Sequence, residues 1–199
     1  MTALILALTT VLVSGLQPGK DCEENAYAYE NIVEIAANHC KYAKSENINI
    51  DLLWSLVAIE DKYNVPYKLR GMILAAACME SGYNPLAKGD RKFSKDGKTP
   101  KAIGILQQWP MYERAYGTVR TDPVSAADGW MKHIVSKLGK VRKQCRFTNE
   151  VRRWIGAWVT GIRYPKKGGR CLEVPNHLRL LNDWHDKAKK LFCEPPTGC

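Results

Sequence analysis

The chain has 199 residues, of which 45% are hydrophobic and 25% are charged. This balance is typical of one packed globular domain, and it excludes a disordered, a collagen-like and a polytopic membrane protein. Lys and Arg outnumber Asp and Glu by 30 to 20, and the net charge of +10 favours an anionic partner. The charge alone does not choose among a nucleic acid, a lipid surface and an acidic cell wall.

The first segment of the chain carries no charge, is apolar over residues 3–8 and 11–13, and ends in Ser14 and Gly15. An apolar run that ends in small residues predicts a signal peptide over residues 1–15, although the basic residues that usually precede such a run are missing. The alternative is a buried N-terminal helix. Because the run is too short to span a bilayer, we expect an exported protein, periplasmic or secreted, with no integral membrane segment after signal removal.

The apolar spacing that follows predicts a series of helices, beginning with one over residues 23–44 inside an N-terminal extension, residues 16–50. Asp51 is the predicted N-cap of a core helix. Pro66 is expected to begin the next helix. In this helix the apolar residues Leu69, Ile73 and Ala76 lie at i, i+4 and i+7, and Glu80 follows at i+11. This spacing places the carboxylate of Glu80 in line with a buried apolar stripe.

Helical periodicity stops between Gly82 and Gly104, where Gly, Pro, Lys and Asp predominate. This composition predicts a long loop or a small β-hairpin, and a loop of this length in a compact domain is usually functional. Helical spacing then returns in three further segments. Their predicted starts are Asp122-Pro123, Val151 and the N-cap Asn176.

The seven cysteines are Cys22, Cys40, Cys78, Cys145, Cys171, Cys193 and Cys199. In an exported chain they indicate disulfides rather than metal ligands, with a pairing that the sequence leaves open. An odd count leaves at least one thiol unpaired, and Cys78 is the candidate because it lies within an apolar helical run. The four histidines lack the spacing of a zinc site, so we predict no metal. The sequence contains neither GxGxxG nor GxxxxGK[ST], so we also predict no nucleotide or flavin cofactor.

Glu80 directly follows an Ala-rich apolar run and has no cationic neighbour in the sequence. Loss of hydration favours the neutral form of a carboxyl group. A carboxylic acid that stays protonated near neutral pH is the group that general acid catalysis of glycosidic cleavage requires. The alternative is a glutamate at the end of a helix that simply reaches solvent.

Three segments occur in a fixed order: Glu80-Ser81-Gly82-Tyr83-Asn84-Pro85, Ala102-Ile103-Gly104-Ile105-Leu106-Gln107 and Ala157-Trp158-Val159-Thr160-Gly161. They resemble the motifs E-S-x-x-N-P, A-x-G-[LI]-[ML]-Q and A-Y-N-x-G of the soluble lytic transglycosylase and goose-type lysozyme superfamily. The resemblance covers residues 51–165. It implies a mainly α, lysozyme-like single domain in which Glu80 is the catalytic acid and a groove binds peptidoglycan glycan strands. We expect residues 166–199 to form a C-terminal helix and tail on the same domain, and the protein to be a monomer.

The resemblance also implies roles for individual residues. In the family the Gln of the second motif lines the cleft, so Gln107 is predicted to bind a sugar acetamido or hydroxyl group, and Gln108 is a second candidate. Ser81 is predicted to hydrogen-bond the acid or the substrate, or alternatively a backbone carbonyl. Trp158 and Val159 replace the family's Tyr and Asn, so an aromatic ring that is predicted to bind substrate by stacking on the sugar is kept and an amide is lost.

Six Trp and nine Tyr suit a carbohydrate groove, in which the apolar faces of sugars pack on aromatic rings. Tyr83 and Tyr112 are predicted to bind substrate, with Trp109 and Tyr116 as further candidates. Helical spacing places three other rings in the core. These are Trp130, Trp154 and Trp184.

The number of carboxylates distinguishes two mechanisms. Inverting hydrolysis needs a second carboxylate about 6.5–9.5 Å from the acid, whereas a lytic transglycosylase works with one Glu because a group of the substrate attacks. Gly89-Asp90-Arg91 resembles the Gly-Asp-Arg of goose-type lysozymes and makes Asp90 a candidate second carboxylate, but Trp109 stands where those enzymes carry another Asp. Asp96 lies in an ordinary turn sequence.

Asn84-Pro85 favours a transglycosylase that cleaves the MurNAc-GlcNAc β-1,4 bond and leaves 1,6-anhydro ends. The alternatives are a goose-type hydrolase, including one that acts on deacetylated glycan, and a non-catalytic wall-binding protein. A nucleic-acid partner is not expected of an exported chain with seven cysteines.

Overall fold

The computed structural model describes residues 18–43, 48–160 and 176–193. Within these ranges the chain is mainly helical and contains one small antiparallel sheet, so the predicted helical class and hairpin are confirmed. The predicted signal peptide lies outside the described residues. The helices are α1 (Pro18–Ala26), α2 (Tyr29–His39), α3 (Ile50–Lys62), α4 (Met72–Ser81), α5 (Met111–Tyr116), α6 (Pro123–Cys145), α7 (Glu150–Thr160) and α8 (Asn176–Phe192), and the strands are β1 (Lys88–Gly89) and β2 (Ala102–Ile103).

Two helix starts show how capping defines the boundaries. The side chain of Asp122 caps α6 as predicted, because it accepts the backbone N–H of Ser125 at 2.6 Å. The predicted cap of α3 is wrong by two residues: Asn49 accepts the N–H of Leu52 at 3.2 Å, while Asp51 lies in the first turn. A carboxylate in that turn is favoured by the positive end of the helix dipole.

Two other predicted boundaries also differ. The segment 23–44 forms two helices instead of one, because α1 ends at Ala26 and α2 begins at Tyr29. The helix expected after Pro66 is preceded by a short 3-10 turn, and α4 begins only after Gly71, whose φ is 88°. Glycine adopts this left-handed conformation without steric cost.

Helix α4 is buried on every side rather than along one stripe. Its residues 72–78 are all buried, because α2, α3 and α8 pack around it. A helix that is apolar all round is typical of a protein core. Glu80 follows this buried part near the C-terminal end, and its side chain is 38% exposed. The prediction that Glu80 lies on a buried stripe is therefore wrong.

The fully buried carboxylate is Glu60 at the end of α3. It accepts the backbone N–H groups of Gly71 at 2.7 Å and of Ile73 at 2.6 Å, which begin α4. Burial raises the pKa of Glu60 to about 8, although these N–H groups favour the charged form. His185 of α8 holds the same turn, because its Nε2 donates to the carbonyl oxygen of Arg70 at 2.9 Å.

Two disulfides confirm the expected use of cysteine. Cys40–Cys78 links the residue after α2 to α4, and Cys22–Cys193 links α1 to the residue after α8. The prediction that Cys78 is unpaired is wrong, since burial in an apolar helix does not prevent a partner on the neighbouring helix. Cys145 is also disulfide-bonded.

In the part of the chain that the structure describes, no helix is long and apolar enough to cross a membrane.

Candidate functional site

Two pockets flank the C-terminal end of α4, with volumes of about 800 Å³ and about 490 Å³. Glu80 and Gln107 line both pockets. Because the pockets share these side chains, they adjoin at Glu80 and Gln107, and the two pockets together are called the groove below. Ser81 and Tyr83 also line the larger pocket, and Asp90, Tyr112 and Trp158 also line the smaller pocket. The groove therefore brings these seven predicted site residues together.

The turn after Glu80 depends on a glycine. Gly82 ends α4 with φ of 59°, and its N–H donates to the carbonyl oxygens of Ala77 and Cys78. A Cβ atom at Gly82 would collide with the backbone oxygen of Tyr42. Only glycine meets both requirements, the left-handed conformation and the close approach. The chain thus turns directly from Glu80 into the wall of the larger pocket.

Glu80 is paired with a histidine that the sequence did not indicate. The Oε1 atom of Glu80 lies 3.0 Å from Nε2 of His177, in the first turn of α8. The ring of His177 stacks parallel to that of Trp158, with the ring centroids 5.9 Å apart. His177 is 97 residues from Glu80 and outside the three motifs, so no local pattern could have predicted the contact.

Asp90 reaches the smaller pocket from the hairpin. It follows β1 with a left-handed φ of 56°. The Nε1–H of Trp109 donates to Oδ2 of Asp90 at 2.8 Å, and the Trp109 ring packs on Phe93 with centroids 5.6 Å apart. Trp109 thus holds Asp90, the one carboxylate of this loop that lines the pocket with Glu80. Trp109 itself stands at the position where the goose-type enzymes of the resemblance have another Asp.

The side chain of Gln107 is enclosed by the hairpin. Its Nε2 donates to the carbonyl oxygen of Gly104 at 2.9 Å, and a Cβ atom at Gly89 would collide with its Oε1. The adjoining backbone is held by Arg120, whose guanidinium donates to the carbonyl oxygen of Gln108 at 2.9 Å. These contacts fix Gln107 between the two pockets.

Ser81 and Tyr83, two further residues of the first motif, have different surroundings. The Ser81 hydroxyl lies 2.8 Å from the carbonyl oxygen of Ile105 and 3.1 Å from that of Ala77, so it binds backbone rather than Glu80. Tyr83 is buried, and none of the described residues forms a hydrogen bond with its hydroxyl. Burial raises the pKa of Tyr83 above its usual range.

Aromatic rings form much of the smaller pocket. Trp158 is buried and meets Trp130 edge-on, with ring centroids 5.7 Å apart. Trp130, which was predicted to lie in the core, is half-buried and also lines the pocket. Trp154 and Trp184 are buried as predicted. Burial also raises the pKa of Tyr112 above its usual range.

Three polar atoms on residues of the smaller pocket are buried and have no hydrogen-bond partner in the described part of the chain. They are Nε1 of Trp158, Oε1 of Gln108 and Nδ1 of His177. Buried polar groups are nearly always hydrogen-bonded in folded proteins. A pocket of aromatic walls with a few polar atoms is typical of a site for a small molecule or part of a polymer.

Two weaker candidates have structural roles. The hydroxyl of Tyr116 lies 2.9 Å from Nδ1 of His133, and Asp96 accepts the backbone N–H groups of Lys98 and Thr99. Hydrogen bonds from Thr99 hold the pKa of Asp96 well below its usual range. The described walls of the groove include neither residue. The side chain of Val159 and residue Gly161, both of the third motif, lie outside the described part.

Among the described residues, no three His, Cys, Asp or Glu side chains converge as a metal ion would require. Comparison of the chain with protein-family models, with curated proteins and with solved structures finds no match.

Proposed function

We propose that this protein is a lytic transglycosylase with a lysozyme-like helical domain, which cleaves the β-1,4 bond between MurNAc and GlcNAc in peptidoglycan. The observation that carries the proposal is the position of Glu80, where two pockets meet at the end of a buried helix. A glycan strand that follows both pockets presents a glycosidic oxygen to this carboxyl group. The aromatic walls and Gln107 supply the contacts that a sugar needs.

The proposed reaction needs only one carboxyl group. Protonated Glu80 gives its proton to the glycosidic oxygen while the bond from that oxygen to C1 of MurNAc breaks, and the GlcNAc end leaves with a free hydroxyl group. Ionised Glu80 then takes the proton of the MurNAc C6 hydroxyl, whose oxygen bonds to C1. No water is consumed, the product carries a 1,6-anhydro end, and Glu80 is protonated again.

Hydrolysis is the second candidate, because Trp109 holds Asp90 on the wall of the pocket that Glu80 also lines. In that reaction Glu80 protonates the glycosidic oxygen as its bond to C1 breaks, Asp90 takes a proton from the water that attacks C1, and the product has a reducing end. A deacetylated glycan lacks the acetamido group that can assist cleavage of the glycosidic bond, so its hydrolysis would depend on Asp90. A wall-binding protein without activity is the third candidate.

Two further features suit a cell-wall substrate. Disulfides persist in oxidising compartments, so Cys22–Cys193 and Cys40–Cys78 support an exported location. The net charge of +10 suits the carboxylates and acidic polymers of a wall, and binding to them should weaken as salt is added.

Mass spectrometry of the muropeptides released from normal and deacetylated sacculi tests these candidates. Glu80→Gln should lower the release by about 10²- to 10⁴-fold, because the amide cannot give up a proton. Asp90→Asn should leave the anhydro products unchanged. Asp96→Asn, on the same loop but outside the groove, serves as the matched control.

Each outcome selects one candidate. If the wild-type protein releases anhydro products and only Glu80→Gln abolishes them, the transglycosylase is supported. Reducing-end products that also require Asp90 support the hydrolase. If the wild-type protein binds sacculi and releases nothing from either substrate, the wall-binding candidate stands. Full activity in a folded Glu80→Gln variant would show that the assignment of the acid is wrong.

A further inference from the structure

His177 contacts Glu80 through only one of its two ring nitrogens. Nε2 lies 3.0 Å from Oε1 of Glu80, whereas Nδ1 is buried and has no hydrogen-bond partner among residues 18–43, 48–160 and 176–193. A neutral imidazole has one N–H donor and one lone pair. The proton in this contact can therefore lie on Nε2, which then donates to the ionised carboxylate. It can also lie on Glu80, which then donates to the lone pair of Nε2. Both states of the acid keep a hydrogen bond to the same ring.

The ring of His177 has little freedom to move. It stacks on Trp158 with an interplanar angle of 2°, and its side chain is only 12% exposed. Helix α8, which carries it, packs directly on α4, which carries Glu80. A hydrogen-bond partner held in this way restricts the rotation of a carboxyl group that is otherwise partly exposed to solvent.

The surroundings of His177 do not suit a purely structural role. A buried polar atom without a partner destabilises the fold. An apolar ring would keep the stack on Trp158 and remove the unpartnered Nδ1, while Glu80 would still reach water. Functional sites often retain such residues at a cost in stability.

We propose that His177 is a positioning residue for Glu80: it holds the carboxyl group in the groove and stabilises the negative charge that remains when the proton has been given up. The inference rests on the proposed role of Glu80 as the acid. His177 lies outside the segment that resembles the transglycosylase motifs, so the assignment comes from the geometry alone.

The test compares two identical substitutions in one helix. His177→Phe keeps the stacked ring and removes Nε2, so kcat for muropeptide release should fall about 10- to 100-fold with KM within twofold of wild type, and Tm should not fall. His185→Phe removes the hydrogen bond to Arg70 instead. It should lower Tm and leave the kcat of the folded protein unchanged.

The pH dependence separates positioning from packing. The pH profile of kcat depends on the ionisable groups of the enzyme–substrate complex. Loss of a residue that acts through the carboxyl group of Glu80 should therefore change the ratio of wild-type to His177→Phe kcat with pH, whereas a packing defect should lower kcat by the same factor at every pH. The other titratable groups that line the smaller pocket are Asp90, Tyr112 and His133. These groups, and Glu80 itself, are present in both proteins.

The Glu80→Gln background distinguishes this inference from the proposed function. There His177→Phe should cause no additional loss, because His177 acts through the carboxyl group. If Glu80→Gln is inactive but His177→Phe has wild-type kcat and a ratio that is constant with pH, the role of His177 is overturned and the proposed function stands. If Glu80→Gln is fully active, both are overturned.

Discussion

At the scale of single residues, two glutamates with similar sequence contexts have opposite roles. Each follows an apolar helical run, as in Ile59-Glu60 and Met79-Glu80. Glu60 is fully buried and binds the backbone at the start of α4, whereas Glu80 emerges near the other end of that helix into the groove. The neighbouring helices decide this difference, because they cover the end of α3 and leave the end of α4 open.

Glu60 should make stability depend on pH. Its pKa rises from the ordinary value of 4.5 to about 8, so the folded protein binds more protons than the unfolded chain between these values. The contribution is complete below pH 4.5 and is lost as the pH rises towards 8.

For His185 the pKa falls from 6.5 to about 4, mainly through burial, so its contribution is complete above pH 6.5 and is lost as the pH falls towards 4. Between pH 6.5 and 8, the contribution of Glu60 to stability changes and that of His185 does not.

We therefore expect the free energy of unfolding of the wild-type protein to fall by about 1–2 kcal/mol from pH 6.5 to 8. In Glu60→Gln this dependence should disappear, and stability at pH 6.5 should fall by about 1–3 kcal/mol because a buried N–H loses its acceptor. Urea unfolding at several pH values measures both effects. Glu30→Gln, on the exposed face of α2, is the control. Equal pH slopes in wild type and Glu60→Gln would contradict the prediction.

At the scale of elements, the hairpin and α4 differ in how far their sequences predict them. Loss of periodicity between Gly82 and Gly104 indicated the hairpin, and its strands pair Lys88 with Ile103. Helix α4 has apolar residues on all sides, so the sequence contains no information about which way Glu80 faces. Its direction follows from the packing of α2, α3 and α8.

The long helix α6 contains two glycines in different surroundings. A Cβ atom at Gly129 would collide with the side chain of buried Thr118, whereas a Cβ atom at Gly139 would meet nothing within 4 Å. Gly139→Ala should stabilise the protein by about 0.5–1 kcal/mol, because alanine has the higher helix propensity. Gly129→Ala should destabilise it by about 1–3 kcal/mol through overpacking. Urea unfolding of both variants measures the difference, and shifts of the same sign would contradict it.

At the scale of the whole molecule, disulfides join distant parts of the chain. Cys22–Cys193 spans 171 residues and ties α1 to α8, and Cys40–Cys78 spans 38 residues. A disulfide that closes a longer loop restricts the unfolded chain more strongly. The first pair also lies away from the described walls of the groove.

Replacement of both Cys22 and Cys193 by Ser should therefore lower the free energy of unfolding by about 3–5 kcal/mol. The kcat of the folded variant should stay at the wild-type value, because the bond does not contact Glu80 or Gln107. Denaturant unfolding and muropeptide release measure the two properties. A loss of less than about 1 kcal/mol would mean that the unfolded chain gains little freedom when this bond is absent.

Glu80 became a candidate site residue through the resemblance of its motif to a known family, whereas the sequence alone determined the helical class, the hairpin region, the cap at Asp122 and the use of cysteine in disulfides. These features depend on periodicity, capping and composition, which act over a few residues. Only the tertiary structure decided that Glu80 faces the groove, that His177 contacts it and that Cys78 pairs with Cys40. Those contacts join residues that are 97 and 38 positions apart, and helix packing, which no local pattern encodes, brings them together.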